Sequence, residues 1–314
     1  MPGQGQDVTS GDEIIRCLLE NSRARVVVAT TTHTVREIAR RHQVRGLAAV
    51  ALGRAVTAGL TLATLTKDEE QVTLQILGNG PLGSITVDAR SSGRVRAYLK
   101  HPDAVPWNGS PDRARLSLAA AVGSKGIVNV IRDVGLAQNY AGQTPLASGE
   151  IDSDVESYLS TSEQIDSVLR CDTLLDGEGE VTASAGVLVQ TLPQAEGTAL
   201  VEFIRQTLDE QRLSQVLGEA TGAIAGETLA RQLLGPVSES LQTLDRRPVT
   251  FACSCSRARA AATLEMLHQE DLQAMILEDN QASVGCNFCG EKYTFSESEL
   301  EVIRRKRQPA QPAS

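Results

Sequence analysis

Four cysteines near the C-terminus constrain this chain more than any other feature. They stand as two close pairs, Cys253-Ser-Cys255 and Cys286-Asn-Phe-Cys289, separated by thirty residues. Two ligand pairs brought together by a fold are the pattern of a closed structural zinc site, and soft thiolates suit that metal. Four sulfurs fill a tetrahedral shell and leave no position for a reactive water, which points away from a catalytic zinc. His268 lies between the pairs, but the shell is already full, so it reads as a surface helix residue. Gly285 and Gly290 flank the second pair and predict a tight turn that aims two backbone amides at sulfur.

The first pair departs from an ordinary zinc ribbon, whose paired ligands are spaced by two or more residues. Here one residue separates Cys253 from Cys255, which forces two thiolates close together. Accessible thiolates are what peroxide and related oxidants attack. A disulfide consumes two ligands and so ejects the metal. Structural zinc supplies about 10–16 kcal/mol of apparent binding free energy, as much as or more than the total stability of a typical domain. Its loss predicts unfolding of residues 250–303. The spacing therefore predicts a switch between a reduced, zinc-bound, folded state and an oxidised, zinc-free, unfolded one.

Charge narrows the possibilities for such a module. Residues 250–303 carry nine Asp/Glu against three Lys/Arg, a net of −6, and a four-thiolate zinc centre adds about −2. The whole chain is at −9. Nucleic-acid binding needs the opposite sign, so a zinc-ribbon nucleic-acid factor is the weaker alternative. A thiol-disulfide oxidoreductase is the other. It would want an exposed Cys-x-x-Cys opening a helix after a strand, whereas Cys286–Cys289 precedes a strand-like Tyr/Phe run.

The 314 residues are 41% hydrophobic and 3% aromatic, enough for a core built of Val, Leu, Ile and Ala. Met1 to Asp12 is polar and Gly-rich, so no targeting signal is expected. The stretch Leu47 to Leu65 carries Arg54, two glycines and three threonines and reads as a buried helix, with no membrane span expected. The expected compartment is the cytoplasm, where thiols stay reduced and six cysteines mean metal or redox work.

Along the chain, residues 12–20 read as a short amphipathic helix, Arg25 to Thr32 as a strand, and Val35 to Leu65 as helix interrupted near Arg45–Gly46. Alternation at Val72, Leu74 and Ile76, at Ile85 and Val87, and at Val95, Ala97 and Leu99 predicts an antiparallel meander. Further strands fit Gly126–Arg132, Val181–Ala185 and Gly186–Gln190, with a helix over Asp152 to Leu169. The fold class is α+β: a sheet-and-helix core domain over 1–198, a helical linker over 199–249 interrupted by Gly218, Gly222, Gly226 and Gly235, a small C-terminal four-cysteine zinc-binding redox-switch domain over 250–304, and a disordered tail over 305–314.

Several motifs carry no chemistry. Gly78-Asn-Gly80-Pro-Leu-Gly83 matches the dinucleotide fingerprint, but a strand follows where a helix N-terminus is required, so it reads as a hairpin turn. Gly123-Ser-Lys-Gly126 is too short for a phosphate loop. His33, His42 and His101 have no nucleophile motif beside them. Cys17 and Cys171 lie in apolar, helix-like runs and should be buried and inert. Trp107 reads as a packing anchor.

The cysteine pattern, followed by Tyr293 and Phe295, resembles the redox-switch domain of bacterial redox-regulated heat-shock chaperones, the 33-kDa chaperonin family. The likeness extends to Thr61–Lys67 with Val72–Pro81, to Tyr140-Ala-Gly142, Gly149-Glu-Ile151 and Tyr158-Leu-Ser-Thr-Ser-Glu-Gln164, and to Ala185-Gly-Val-Leu-Val-Gln190 with Pro193. The resemblance implies a holdase that turns over no substrate and needs no ATP, inactive while reduced and zinc-bound. Oxidation would pair Cys253 with Cys255 and Cys286 with Cys289, release zinc, unfold switch and linker, favour a homodimer and bind unfolding client proteins. Cys17 and Cys171 match no cysteine of the motif and inherit no role. The Gly-rich linker and the basic run from Arg304 depart from the family pattern.

Overall fold

The computed structural model describes residues 11–19, 24–67, 70–107, 109, 116–133, 135, 139–192, 197–208, 212–220 and 223–306. They form two compact units, one ending at Ala252 and one starting at Cys253. The larger begins with β1 (Glu13–Leu19), β2 (Ala24–Thr30), α1 (Thr32–His42), α2 (Gly46–Ala63), β3 (Gln71–Gly78), β4 (Ser84–Arg90) and β5 (Arg94–Leu99). It continues with α3 (Ala119–Val122), β6 (Gly126–Asp133), β7 (Tyr140–Pro145), α4 (Asp152–Ser162), β8 (Ser167–Leu175) and β9 (Val181–Thr191). Three short helices follow, α5 (Gly197–Thr207), α6 (Arg212–Glu219) and α7 (Gly226–Leu234), then a 3-10 turn over Gly235–Ser240, β10 (Leu241–Pro248) and β11 (Thr250–Phe251).

The strands make two sheets. One runs β10-β1-β2-β9-β8 and is antiparallel throughout; the other runs β11-β5-β4-β3-β6-β7, with β11 parallel to β5. α2 packs against both, touching β8 and β9 of the first and β3, β4 and β5 of the second. Its Ala, Val, Leu, Gly and Thr residues make it apolar on every side, and every residue but Leu47 is buried. It alone among the described helices has the length and hydropathy of a membrane span, and it is 94% buried inside the protein. Glycine lets the sheets close on it: a Cβ at Gly53 would stand 2.2 Å from Thr173 Oγ1. Gly53→Ala should therefore displace Thr173 and cost about 1–3 kcal/mol. An unchanged midpoint in urea would show that the contact yields freely.

The other face of the first sheet is covered by α5, α6 and α7. Ile204, Leu208, Leu213, Leu217, Leu229 and Leu233 pack on Ile15, Val26, Val28, Val187 and Val189. This double coverage accounts for where the sequence misleads. A strand buried on both faces reads as an unbroken apolar run, so the stretch read as helix over 12–20 holds strand β1 over Glu13–Leu19. All nine residues of β8 are buried, and the helix expected to reach Leu169 stops at Ser162, with Gln164 in the left-handed region at φ 56°. The two strands expected around Gly186 are one, β9. Gly186 marks close approach and not a turn, since a Cβ there would meet Thr57 Cγ2 at 2.6 Å. Residues 241–248, expected to continue a helical segment, are β10, paired with β1 from Leu19–Leu241 to Glu13–Pro248.

Other readings hold. Gly78–Gly83 closes the β3–β4 hairpin, the Gly78 amide donating to the Gly83 carbonyl. Cys17 and Cys171 are buried, although on strands β1 and β8. Trp107 packs on the core and donates to the Gly177 carbonyl.

The smaller unit holds α8 (Arg257–Glu265), α9 (Gln269–Asp279), the hairpin β12 (Gln281–Gly285) and β13 (Lys292–Ser296), and α10 (Glu297–Lys306). Leu264, Leu272, Ile276, Phe295, Leu300 and Ile303 make its core. Arg305 and Lys306, expected in a disordered tail from residue 305, are in the last turn of α10. Cations favour a helix C-terminus, and Arg304 and Arg305 both pair with Glu301. Residues 307–314 lie outside the described residues.

Candidate metal centre

Cys253 and Cys255 sit on the irregular segment between β11 and α8. The one-residue gap keeps their sulfurs within 4.8 Å of each other. Two contacts hold the segment. The Ser256 side chain accepts from the Arg259 amide and caps α8. The Arg259 guanidinium turns back to donate to the Ser254 carbonyl and Oγ at 3.0 and 2.7 Å.

Cys286 and Cys289 occupy the turn that joins β12 to β13. The last ladder pair is Gly285 with Lys292. The Cys286 amide then donates to the Glu291 carbonyl, and the Gly290 amide to the Cys286 carbonyl, both at 2.9 Å. Gly290 takes φ +74°, the left-handed conformation that glycine allows. Of the two amides expected at sulfur one is found: the Glu291 amide faces Cys289, while the Gly290 amide is used inside the turn.

The turn and the segment before α8 bring the four sulfurs within 4.8 Å of one another. Cys253 Sγ is 3.7 Å from Cys286 Sγ, and Cys255 Sγ is 3.3 Å from Cys289 Sγ. A tetrahedral zinc with bonds of about 2.3 Å has sulfur–sulfur edges of about 3.8 Å. The donor set therefore fits a tetrahedral thiophilic cation in number, chemistry and spacing. All four cysteines are free thiols and partly exposed. Burial, reinforced by the neighbouring thiols, pushes the Cys255 and Cys289 thiols above their ordinary range. Four adjacent thiolates are thus costly without a cation to compensate them.

His268 is exposed at the N-terminal boundary of α9 and is not among the gathered ligands. His33, His42 and His101 belong to the larger unit. The sequence did not single out Arg257, which stacks over Phe295 at 4.5 Å and pairs with Glu299 at 2.7 Å. Nor did it assign a role to Tyr293, whose hydroxyl lies 3.2 Å from Cys255 Sγ. The alternating pattern of β13 was the available signal: Tyr293 and Phe295 share the inward face. The Cys286–Cys289 pair spans a turn between antiparallel strands, unlike the strand-to-helix setting of a thiol oxidoreductase.

The profile of the family described as Hsp33 protein matches residues 12–296. The 33 kDa chaperonin of Geobacillus kaustophilus is 36% identical over 298 residues, covering 94% of this chain and 98% of that protein. That of Listeria innocua is 35% identical over 294 residues, covering 93% and 98%. Among solved structures, that of the 33 kDa chaperonin of Thermotoga maritima superposes with a TM-score of 0.82 at 27% identity, covering 95% of this chain and 99% of that one. With the α+β fold and the four-cysteine cluster in place, this chain belongs to the Hsp33 family of chaperones.

Proposed function

We propose that this chaperone is an ATP-independent holdase for unfolding or oxidatively damaged proteins, switched by its four cysteines. The observation that carries the proposal is the gathering of four cysteine sulfurs within 4.8 Å of one another. Cys253, Cys255, Cys286 and Cys289 would hold one zinc ion in the reduced state. Bound zinc would supply a cross-link between the segment before α8 and the β12–β13 turn. In the oxidised state Cys253 pairs with Cys255 and Cys286 with Cys289. Each thiolate pair gives up two electrons to one hydrogen peroxide, which takes two protons from solvent and leaves as two waters. The four thiolate donors are then consumed, and the site no longer holds a cation.

The domain roles follow from that chemistry. Residues 250–304 are the switch, 199–249 the linker and 1–198 the client-binding and dimerising core. Lifting α5, α6 and α7 would bare the Ile15, Val26, Val28, Val187 and Val189 surface, and exposed apolar surface binds unfolded chains. The working compartment is the cytoplasm, the oxidised form a homodimer, and neither nucleic acid nor membrane is a partner. A thermally denaturing client monitored by light scattering tests the proposal. The protein treated with peroxide under mild heat should keep the client soluble, and the reduced, zinc-loaded protein should not. Protection by the reduced form alone would refute the switch.

A further inference from the structure

β13 alternates so that Tyr293 and Phe295 face inward while Lys292, Thr294 and Ser296 are exposed. Phe295 enters the small core, under the Arg257 guanidinium. Tyr293 stands one step nearer the cysteine turn and packs on the rim of the same core. Its ring is fixed by packing and its strand is fixed by pairing with Val284. Its hydroxyl ends 3.2 Å from Cys255 Sγ. A metal-bound cysteine sulfur carries no proton, so in this contact the phenol is the donor and the sulfur the acceptor.

We infer that Tyr293 is a positioning residue of the metal centre: its hydroxyl donates to the Cys255 thiolate, holds that sulfur in the ligand set and blunts its attack on oxidants. The inference rests on reading the four cysteines as a zinc-holding redox site. Groups that hydrogen-bond to metal ligands orient them and tune the metal, and losing one typically costs ten- to a hundredfold in affinity. A donated hydrogen bond also withdraws electron density from sulfur and lowers its nucleophilicity. Tyr293 then sets a threshold: it slows loss of the ligand set under oxidant without itself being oxidised or binding metal.

Tyr293→Phe keeps the ring and removes the donor. In the reduced full-length protein it should weaken Zn2+ binding by about tenfold in competition with a chromogenic chelator, and speed peroxide-driven Zn2+ release several-fold. With Co2+ as the only metal, the sulfur-to-cobalt charge-transfer band should move to lower energy, because the undonated thiolate is more electron-rich. Loss of packing alone would not move that band. Phe295→Leu, which loosens the core beside it and touches no sulfur, should lower folding stability and leave the band in place. The wild-type protein loaded with 113Cd supplies a measurement that needs no variant: the Tyr293 hydroxyl proton should exchange slowly and couple to the metal through sulfur. A freely exchanging hydroxyl, or affinity, release rate and band all unchanged in Tyr293→Phe, overturns the inference alone. Failure of the wild-type protein to take up Zn2+ or Co2+ overturns the underlying reading with it.

Discussion

Stripping the metal from the reduced protein with a strong chelator is expected to unfold residues 253–306 and leave the larger unit folded. The six large apolar side chains at the centre of the smaller unit contribute about 1.5–3 kcal/mol each when fully buried. Natural domains this small often add a metal, disulfides or a partner to such a core. Structural zinc, at about 10–16 kcal/mol, is comparable to the whole stability of a typical domain. Hydrogen exchange read segment by segment checks this: amides of α8, α9, α10 and the β12–β13 hairpin should lose protection, while β1, β2, β8 and β9 keep theirs. Cys286→Ser should reproduce the loss without chelator. Retained protection in α8 to α10 after complete metal removal would show that the apolar core suffices.

The second large effect lies in the other unit. Arg54, on the central helix α2, is 0% exposed, and its partner Asp172 on β8 is 1% exposed. The guanidinium donates to Asp172 Oδ1 from Nε and NH2 at 3.1 and 2.8 Å, to Glu150 at 2.9 Å and to the Leu116 carbonyl at 2.7 Å. Asp172 also accepts from the Thr173 amide and from the Ser214 hydroxyl on α6. Removing one member of a buried pair strands the other charge, at about 3–5 kcal/mol. Arg54→Met should therefore lower the melting temperature by about 6–20 °C at the 2–4 °C per kcal/mol usual for this size. Replacing both, Arg54→Met with Asp172→Leu, should recover part of the loss, because an apolar pair leaves no unpaired charge. A shift below about 2 °C in the single variant would show that water reaches the site. Ser214 links this pair to α6, so the single variant should also raise exchange in that helix.

How much of this was legible in the sequence depended on the range of the interaction. The cysteine spacing is local, and the four sulfurs meet where it predicted. The alternation at Val72–Ile76 and Ile85–Val87 is local too, and β3 and β4 formed as expected. β1 and β8 were hidden because a second layer, α5 to α7, buries their outer face and erases the alternation. Arg54 was visible only as a charge in an apolar run; its partner Asp172 is 118 positions away. Tyr293 was noted as part of a motif, but its use required knowing that a turn folds back on a segment 38 positions earlier.

The placement of β9 and β10 in one sheet bears on reversibility. Thr191 pairs with Ala24, Ala24 with Leu19, and Leu19 with Leu241, so the strand ends that flank α5, α6 and α7 stand in one row. At about 4.8 Å per strand, the row places them some 14 Å apart. The three helices form a tethered loop, and melting them breaks no ladder hydrogen bond of that row. Closing a loop of this length costs little more than closing one half as long, since the penalty grows only with the logarithm of length. The melted loop would recondense from a confined volume on a sheet that had kept its register.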